Sequence, residues 1–196
     1  MDFDLTDEQE LLRDTTRDLL AGVYDVETRN RTVDTDPGWS REVWKQLADI
    51  GILSLGFDPA ESGQIEVMVV MTEIGRRLAP EPVAAAALVP GTLIAELRSD
   101  DQLLEQVGSG DTLLALAHRE PGTRGLFGSV TSTAAQQGNS WTITGRKHPV
   151  LAGDVADTLI VSAALPDSGG TGLFLVDAAA AERQPFRTFD GQRAAQ

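Results

Sequence analysis

The chain contains no cysteine among its 196 residues. This absence excludes disulfide bonds, thiolate nucleophiles and zinc sites built on cysteine. Only two residues are histidine, His118 and His148, and no His-Glu-x-x-His pattern or third ligand at a telling spacing accompanies them. A shared cleft could make them an acid–base pair or two metal ligands, but we expect each to lie at a surface or barrel rim and predict no metal site.

Basic residues and long apolar runs are also scarce. The 30 acidic residues outnumber 16 basic ones and give a net charge of −14, which disfavours nucleic acid and anionic membranes as partners. No stretch reaches the roughly 18 apolar residues of a membrane span. The acidic N-terminus lacks the basic start and apolar run of a signal peptide. We therefore expect a soluble cytoplasmic protein without a membrane span.

Apolar residues recur with a helical period over most of the first 110 residues. Thr6 to Gln9 matches a capping box, and Ser40 can cap a second helix. Pro90 lies inside an alanine-rich segment and predicts a kink there. The predicted helices cover 6–22, 40–51, 65–78, 83–97 and 101–107. We assign residues 1–110 to an N-terminal helical domain.

After residue 111 the period falls to about two, which is typical of strands. The strand candidates are 112–117, 130–135, 141–144, 158–163 and 172–176. Gly138-Asn139 suits a tight turn between two of them. Closely spaced strands favour an antiparallel barrel or sandwich over 111–196. The sequence therefore predicts an α+β fold, with helices first and strands second.

Most charged residues have a simple structural interpretation. We expect Glu81 to be a solvated acid at a helix start and Lys147 to be a solvated base. Glu120-Pro121-Gly122 predicts a strand-to-turn corner, and Gly145 a hairpin corner. Nothing marks these residues as catalytic.

Several segments resemble, in the same order, the flavin-dependent acyl-CoA dehydrogenases. They are Phe3-Asp-Leu-Thr-Asp-Glu-Gln9, Trp44-Lys-Gln-Leu-Ala-Asp-Ile-Gly-Ile52, Glu73-Ile-Gly-Arg-Arg-Leu-Ala-Pro80, Arg119-Glu-Pro-Gly-Thr-Arg-Gly125 and Gly145-Arg-Lys-His-Pro-Val-Leu-Ala-Gly153. The last two stand where the family has Thr-Glu-Pro-Gly-x-Gly-Ser and Gly-x-Lys-x-Trp-Ile-Thr-Asn-Gly. The resemblance covers nearly the whole chain.

The resemblance implies a fold and a reaction. Family members have a helical domain, a β-domain and a C-terminal four-helix bundle, and they bind FAD between the β-domain and the bundle. A glutamate in the bundle removes a proton α to the thioester carbonyl of an acyl-CoA while the flavin takes a hydride. By this resemblance the base lies beyond residue 196, the helical bundle is missing, and the β-domain at 111–196 is incomplete. We expect a homo- or hetero-oligomer that is inactive as this chain alone.

The same resemblance places flavin contacts at positions whose side chains have changed. These positions are Leu116, His118, Arg119, Gly125, Pro149 and Leu151. Arg119 replaces a threonine, Gly125 a serine, Pro149 a tryptophan and Leu151 a residue with a hydroxyl. Each hydrogen bond lost from a buried flavin atom costs about 1–3 kcal/mol, although backbone amides and the Arg119 guanidinium can still donate. The resemblance thus implies FAD as cofactor but a weakened or absent flavin site.

Three hypotheses follow from this pattern. The chain is the N-terminal part of an acyl-CoA dehydrogenase, or a non-catalytic, FAD-poor subunit of a heteromeric one, or an acyl-CoA-binding or scaffolding module without flavin chemistry. An incomplete β-domain predicts self-association or a need for a partner chain, because it leaves an open strand edge.

Overall fold

The computed structural model describes residues 4–97, 100–123, 130–166 and 169–196. The chain divides into two compact units, Met1–Asp111 and Thr112–Gln196. Helices fill the first unit and strands the second. The predicted α+β class, with helices before strands, is confirmed.

The described residues of the first unit form six α-helices. They are α1 (Asp7–Val23), α2 (Val26–Val33), α3 (Arg41–Asp49), α4 (Gln64–Arg77), α5 (Val89–Leu97) and α6 (Asp101–Gly108). Polar side-chain caps fix where four of them, α1, α2, α3 and α6, begin. Thr6 forms the expected capping box with Gln9, and the Ser40 hydroxyl accepts the N–H of Val43. None of the residues of α2 is buried. The sequence therefore shows no apolar stripe of helical period there, and α2 was not predicted.

The alanine-rich segment contains a π-helical turn, Ala84–Leu88, that continues into α5. Val89 donates its N–H to the carbonyl of Ala84, five residues back. Pro90 follows directly and has no N–H to donate. A widened turn beside a proline is a common cause of helix bending, so the irregularity predicted at Pro90 takes the form of a π-turn.

The core of the helical unit combines apolar side chains with the buried carboxylate of Glu73, whose ion-pair partner Arg17 is partly exposed. Its fully buried apolar side chains include Leu20, Tyr24, Trp44, Leu47, Ile52, Leu53, Val70 and Ile94. The carboxylate of Glu73, on α4, accepts Nε and Nη2 of Arg17 on α1 at 3.0 and 2.9 Å. These hydrogen bonds hold the pKa of Glu73 below its usual range despite its burial. The pair therefore joins α1 to α4 without leaving a buried charge unpaired.

Glu81 is buried, so its interpretation as a solvated acid was wrong. Glu81 is only 5% exposed. Its carboxyl accepts hydrogen bonds from the Tyr24 hydroxyl and the Ser40 N–H. Burial raises the pKa of Glu81, although these hydrogen bonds partly offset the effect. The carboxyl thus connects the end of α1 to the start of α3.

We expect Glu81→Gln to remove a pH dependence from folding. The folded state holds the Glu81 proton more tightly than the unfolded state, where the pKa is about 4.3. The stabilising contribution is therefore complete below that value and is lost as the pH rises through the folded pKa. Chemical denaturation of both proteins between pH 4 and 7.5 checks this. The difference in unfolding free energy should grow in favour of the variant as the pH rises, and a constant difference would contradict it.

The described residues of the strand-forming unit form two sheets. Its strands are β1 (Leu114–Ala117), β2 (Thr133–Gln137), β3 (Ser140–Thr144), β4 (Val150–Leu151), β5 (Thr158–Ala164), β6 (Thr171–Asp177), β7 (Pro185–Arg187) and β8 (Arg193–Ala195). One sheet has the order β1-β5-β2-β3, with β6 paired to β5 as well, and the other has the order β4-β8-β7. β4, β7 and β8 span only two or three residues each, too short to show a period in the sequence.

The larger sheet is mixed, whereas the sequence predicted antiparallel pairing throughout. β1 runs parallel to β5, with Leu114 opposite Thr158, while β2–β3 and β5–β6 are antiparallel. Parallel neighbours need a long connection, and the β2–β3 hairpin lies within the segment that joins β1 to β5. Spacing between strand candidates does not reveal which strands pair, and this is why the parallel pairs of β5 with β1 and β2 were not predicted.

The core of this unit consists largely of small side chains. Its buried cluster comprises Ala115, Ala117, Val150, Ala156, Leu159, Val161 and Ala178. Side chains alternate between the faces of a strand, so Leu116 on β1 and Ser162 on β5 face away from this cluster. In the helices that the structure describes, none is long and apolar enough to cross a bilayer.

Candidate functional site

The two segments that resemble the family's flavin-binding segments lie side by side. The N–H of His148 donates to the carbonyl of Arg119 at 2.8 Å. Residues 120–123 form a turn closed by Thr123 N–H on the Glu120 carbonyl at 3.3 Å. Pro121 and Gly122 occupy the positions that a type II turn favours for proline and glycine. The φ of Gly122 is 84°. This corner follows β1 and aims the Glu120 side chain inward.

Glu120 is the centre of a buried hydrogen-bond cluster. Its residue is 4% exposed. Its carboxylate accepts the backbone N–H groups of Thr131 and Ser132 at 2.7 and 2.9 Å, together with both of their hydroxyls. Burial alone would raise the pKa of Glu120, but hydrogen bonds from Lys147, Ser132 and Thr131 outweigh it and hold that pKa far below its usual range. Glu120 is therefore a fixed anion rather than a base.

Lys147 is the counter-ion of Glu120, so its interpretation as a solvated base was wrong. Its side chain is 9% exposed, and Nζ lies 2.6 Å from Oε1 of Glu120. The same ammonium donates to the Ser162 hydroxyl at 3.1 Å and to the His118 carbonyl at 3.4 Å. Lys147 thus connects β5 to the segment that follows β1.

Gly145 has a tighter role than a hairpin corner. A Cβ atom added there would lie 2.2 Å from Oγ and 2.8 Å from Cα of Ser132. The backbone at Gly145 therefore approaches Ser132 too closely for any side chain, and this contact brings Ser132 to the Glu120 carboxylate.

A cleft of about 560 Å³ lies beside this cluster within the strand-forming unit. Ala117, Ile143, Val150, Leu159 and Val161 provide apolar wall, and Arg146, Lys147, Glu182 and Arg183 provide charged groups. Nη1 of Arg183 donates to the carbonyls of Gly153 and Ala156, which ties that guanidinium to the backbone. Of the positions predicted to contact flavin, none that the structure describes lines this cleft.

The predicted flavin positions lie on and around the two paired segments. Leu116 is half-buried in β1, His118 and Pro149 are half-buried, Arg119 is exposed, and Leu151 in β4 is 39% exposed. Gly125 lies outside the described residues. The roles of all six positions as flavin contacts remain predictions.

The side chains at these positions do not fit an ordinary flavin contact set. The polar edge of an isoalloxazine needs hydrogen-bond partners, and Leu116, Pro149 and Leu151 have no polar side-chain atom. Pro149 also lacks a backbone N–H. Nδ1 of His118 is already engaged by Ser162 at 3.0 Å. Among the five positions in the described ranges, Arg119 is the one with an exposed side-chain donor.

The two histidines have separate surroundings. The His118 ring bonds Ser162, whereas the His148 ring packs against Phe186 with centroids 4.9 Å apart. Within the residues that the structure describes, no hydrogen bond joins the two histidine rings. No group of three or more His, Asp or Glu side chains in those ranges is arranged to hold a metal ion.

Sequence reasoning missed the Glu120 cluster although one signal was present. Glu120 and Lys147 carry opposite charges and are retained in segments whose other polar positions have changed, which favours a structural ion pair. Ser132 and Ser162 gave no signal, because a serine in or beside a strand is ordinary until its neighbours are known.

Comparisons with known proteins agree with the resemblance. Residues 6–105 match the family described as "Acyl-CoA dehydrogenase, N-terminal domain". The probable acyl-CoA dehydrogenase YdiO of Escherichia coli (strain K12) is 35% identical over 159 residues, which cover 75% of this chain and 40% of YdiO.

Two solved structures share the fold along most or all of the chain. The ChsE4-ChsE5 complex from Mycobacterium tuberculosis gives a TM-score of 0.85 at 25% identity, covering 100% of this chain and 54% of that chain. A variant of the Tcur3481-Tcur3483 steroid ACAD gives 0.83 at 27% identity, covering 96% and 54%. The chain thus spans about half the length of these proteins, and it belongs to the acyl-CoA dehydrogenase family.

Proposed function

We propose that this chain takes part in the α,β-dehydrogenation of an acyl-CoA thioester and is inactive alone. The observation that supports the proposal is a family fold whose predicted flavin positions carry Leu116, Pro149 and Leu151. In this family FAD is the hydride acceptor. Because these side chains do not suit a flavin, we assign no reaction step to them.

Glu120, the carboxylate that follows Arg119 in the sequence, is not a suitable base. Glu120 is buried, and each of its oxygens accepts at least two hydrogen bonds. Its low pKa leaves it ionised, while Lys147 neutralises it. We therefore do not assign the catalytic base to Glu120, and by the family resemblance that base belongs to the C-terminal helical bundle.

A second candidate function is that of an FAD-poor subunit in a heteromeric dehydrogenase. The changed side chains favour it, and the similar ChsE4-ChsE5 structure is itself a complex of two named chains. In this case a partner chain supplies most of the flavin contacts. The similarity to a steroid ACAD leads us to include bulky acyl-CoA esters, alongside fatty acyl-CoA, as substrates to test. A scaffolding module remains the third hypothesis, and a cytoplasmic location remains a prediction.

Co-expression tests both candidate functions. The chain is purified alone and after co-expression with candidate partner chains of the acyl-CoA dehydrogenase family, and bound flavin is measured by absorbance. We expect the chain alone to bind no flavin and to catalyse no dehydrogenation. A complex should bind flavin and oxidise acyl-CoA. Stoichiometric flavin on the chain alone would overturn the FAD-poor proposal. A stable complex without flavin or acyl-CoA oxidation would overturn the dehydrogenase proposal.

A further inference from the structure

Four side chains form a continuous path of hydrogen bonds from the interior to one predicted flavin position. Lys147 Nζ lies 2.6 Å from Glu120 and 3.1 Å from the Ser162 hydroxyl. The Ser162 oxygen lies 3.0 Å from Nδ1 of His118. Ser162 is fully buried and Glu120 is 4% exposed, so the path is anchored in the interior.

The direction of each hydrogen bond follows from the groups themselves. An ammonium only donates, and the three protons of Lys147 have three acceptors: Glu120 Oε1, Ser162 Oγ and the His118 carbonyl. Ser162 Oγ therefore accepts from Lys147 and must place its own proton elsewhere. Its contacts in the described ranges offer one acceptor for that proton, Nδ1 of His118. A buried hydroxyl that donates to nothing would be unfavourable.

We infer that Glu120, Lys147 and Ser162 hold His118 as the neutral tautomer with its proton on Nε2. A neutral imidazole has one donor and one acceptor nitrogen, so an Nδ1 that accepts from Ser162 leaves Nε2 as the donor. Nε2 of His118 is then a hydrogen-bond donor and not an acceptor. Ser162 and Lys147 are positioning residues for this ring. The tautomer follows from these contacts alone and does not depend on the proposed function.

The tautomer can be read directly by ¹⁵N–¹H NMR of the two imidazoles in the 196-residue chain. A His148→Gln variant leaves a single set of ring signals and so identifies those of His118. At pH 7.5 we expect Nδ1 of His118 to show the shift of an unprotonated ring nitrogen and Nε2 that of a protonated one. A proton on Nδ1, on both nitrogens, or averaged between them in the wild-type chain would overturn the inference.

Substitution of Ser162 tests the path itself. Ser162→Ala removes the donor to Nδ1, so the two ring shifts should move toward each other as both tautomers become populated. Ser162→Thr keeps the hydroxyl and should restore the wild-type pattern. An unchanged His118 pattern in Ser162→Ala would contradict the role of Ser162. The wild-type measurement decides the tautomer even if both variants fail to fold, and it does not depend on whether flavin binds.

Discussion

Lys147→Met is expected to lower the free energy of unfolding of the strand-forming unit by about 3–5 kcal/mol, because it leaves the buried carboxylate of Glu120 without its counter-ion. The methionine matches the length of the lysine stem, so the main change is the loss of charge and of three hydrogen bonds. The effect is measured by chemical denaturation of the whole chain, monitored through the circular dichroism signal of β-structure.

Lys45→Met is the matched control for this variant. The ammonium of Lys45 lies 3.5 Å from Asp111, and their side chains are 51% and 68% exposed. A surface pair of this kind contributes about 0–1 kcal/mol. Adding Glu120→Gln to Lys147→Met should recover part of the loss, since no unpaired charge then stays buried. Equal effects of Lys147→Met and Lys45→Met would show that the Glu120 pair is not the anchor of this unit.

The second large effect is expected for Gly145→Ala. The new methyl group would lie 2.2 Å from the Ser132 hydroxyl oxygen. Overpacking of this kind costs about 1–3 kcal/mol. Displacement of Ser132 would also break two hydrogen bonds to Glu120, at a further cost of about 1–3 kcal/mol for a buried group left unsatisfied. Thermal or denaturant unfolding should therefore show a marked loss of stability.

Gly75→Ala provides the contrast for this substitution. Gly75 lies in α4, and a Cβ atom added there meets nothing within 4 Å. Because alanine favours a helix interior over glycine, this variant should gain about 0.5–1 kcal/mol of stability. If Gly145→Ala were also neutral or stabilising, the close approach of Gly145 to Ser132 could not be what shapes the cluster.

The helical unit was the easier half to predict from sequence. Thr6 and Ser40 carry cap signals that depend only on residues within one turn. The apolar residues of α4 also recur with the helical period, which is a local pattern. By contrast, α2 has no buried residue, and its start depends on Asp25, which accepts the Thr28 N–H.

The strand-forming unit was harder, because its structure depends on contacts between distant residues. The parallel pairing of β1 with β5 joins residues far apart in sequence, and no local pattern encodes it. The burial of Lys147 likewise depends on Glu120, which lies in another segment. A solvated lysine is the reasonable expectation for either segment taken alone, and only their juxtaposition changes it.

The changed side chains at the predicted flavin positions could be identified from the resemblance, but their surroundings could not. Pro149 and Leu151 lack polar side-chain atoms whatever the fold. The engagement of His118 by Ser162, in contrast, requires β5 to lie beside β1. Family segments therefore located the region, while the hydrogen-bond directions within it came from the structure.

Titration of the isolated 196-residue chain with FAD, followed by flavin fluorescence, tests most directly whether this chain has lost the ordinary flavin site. We expect no saturable binding by the wild-type chain. The variant Arg119→Thr/Pro149→Trp/Leu151→Thr, which restores three family side chains, serves as a comparison and should bind more tightly than the wild type if it folds. Saturable binding of one FAD per wild-type chain would contradict the loss of the site, whatever the variant does.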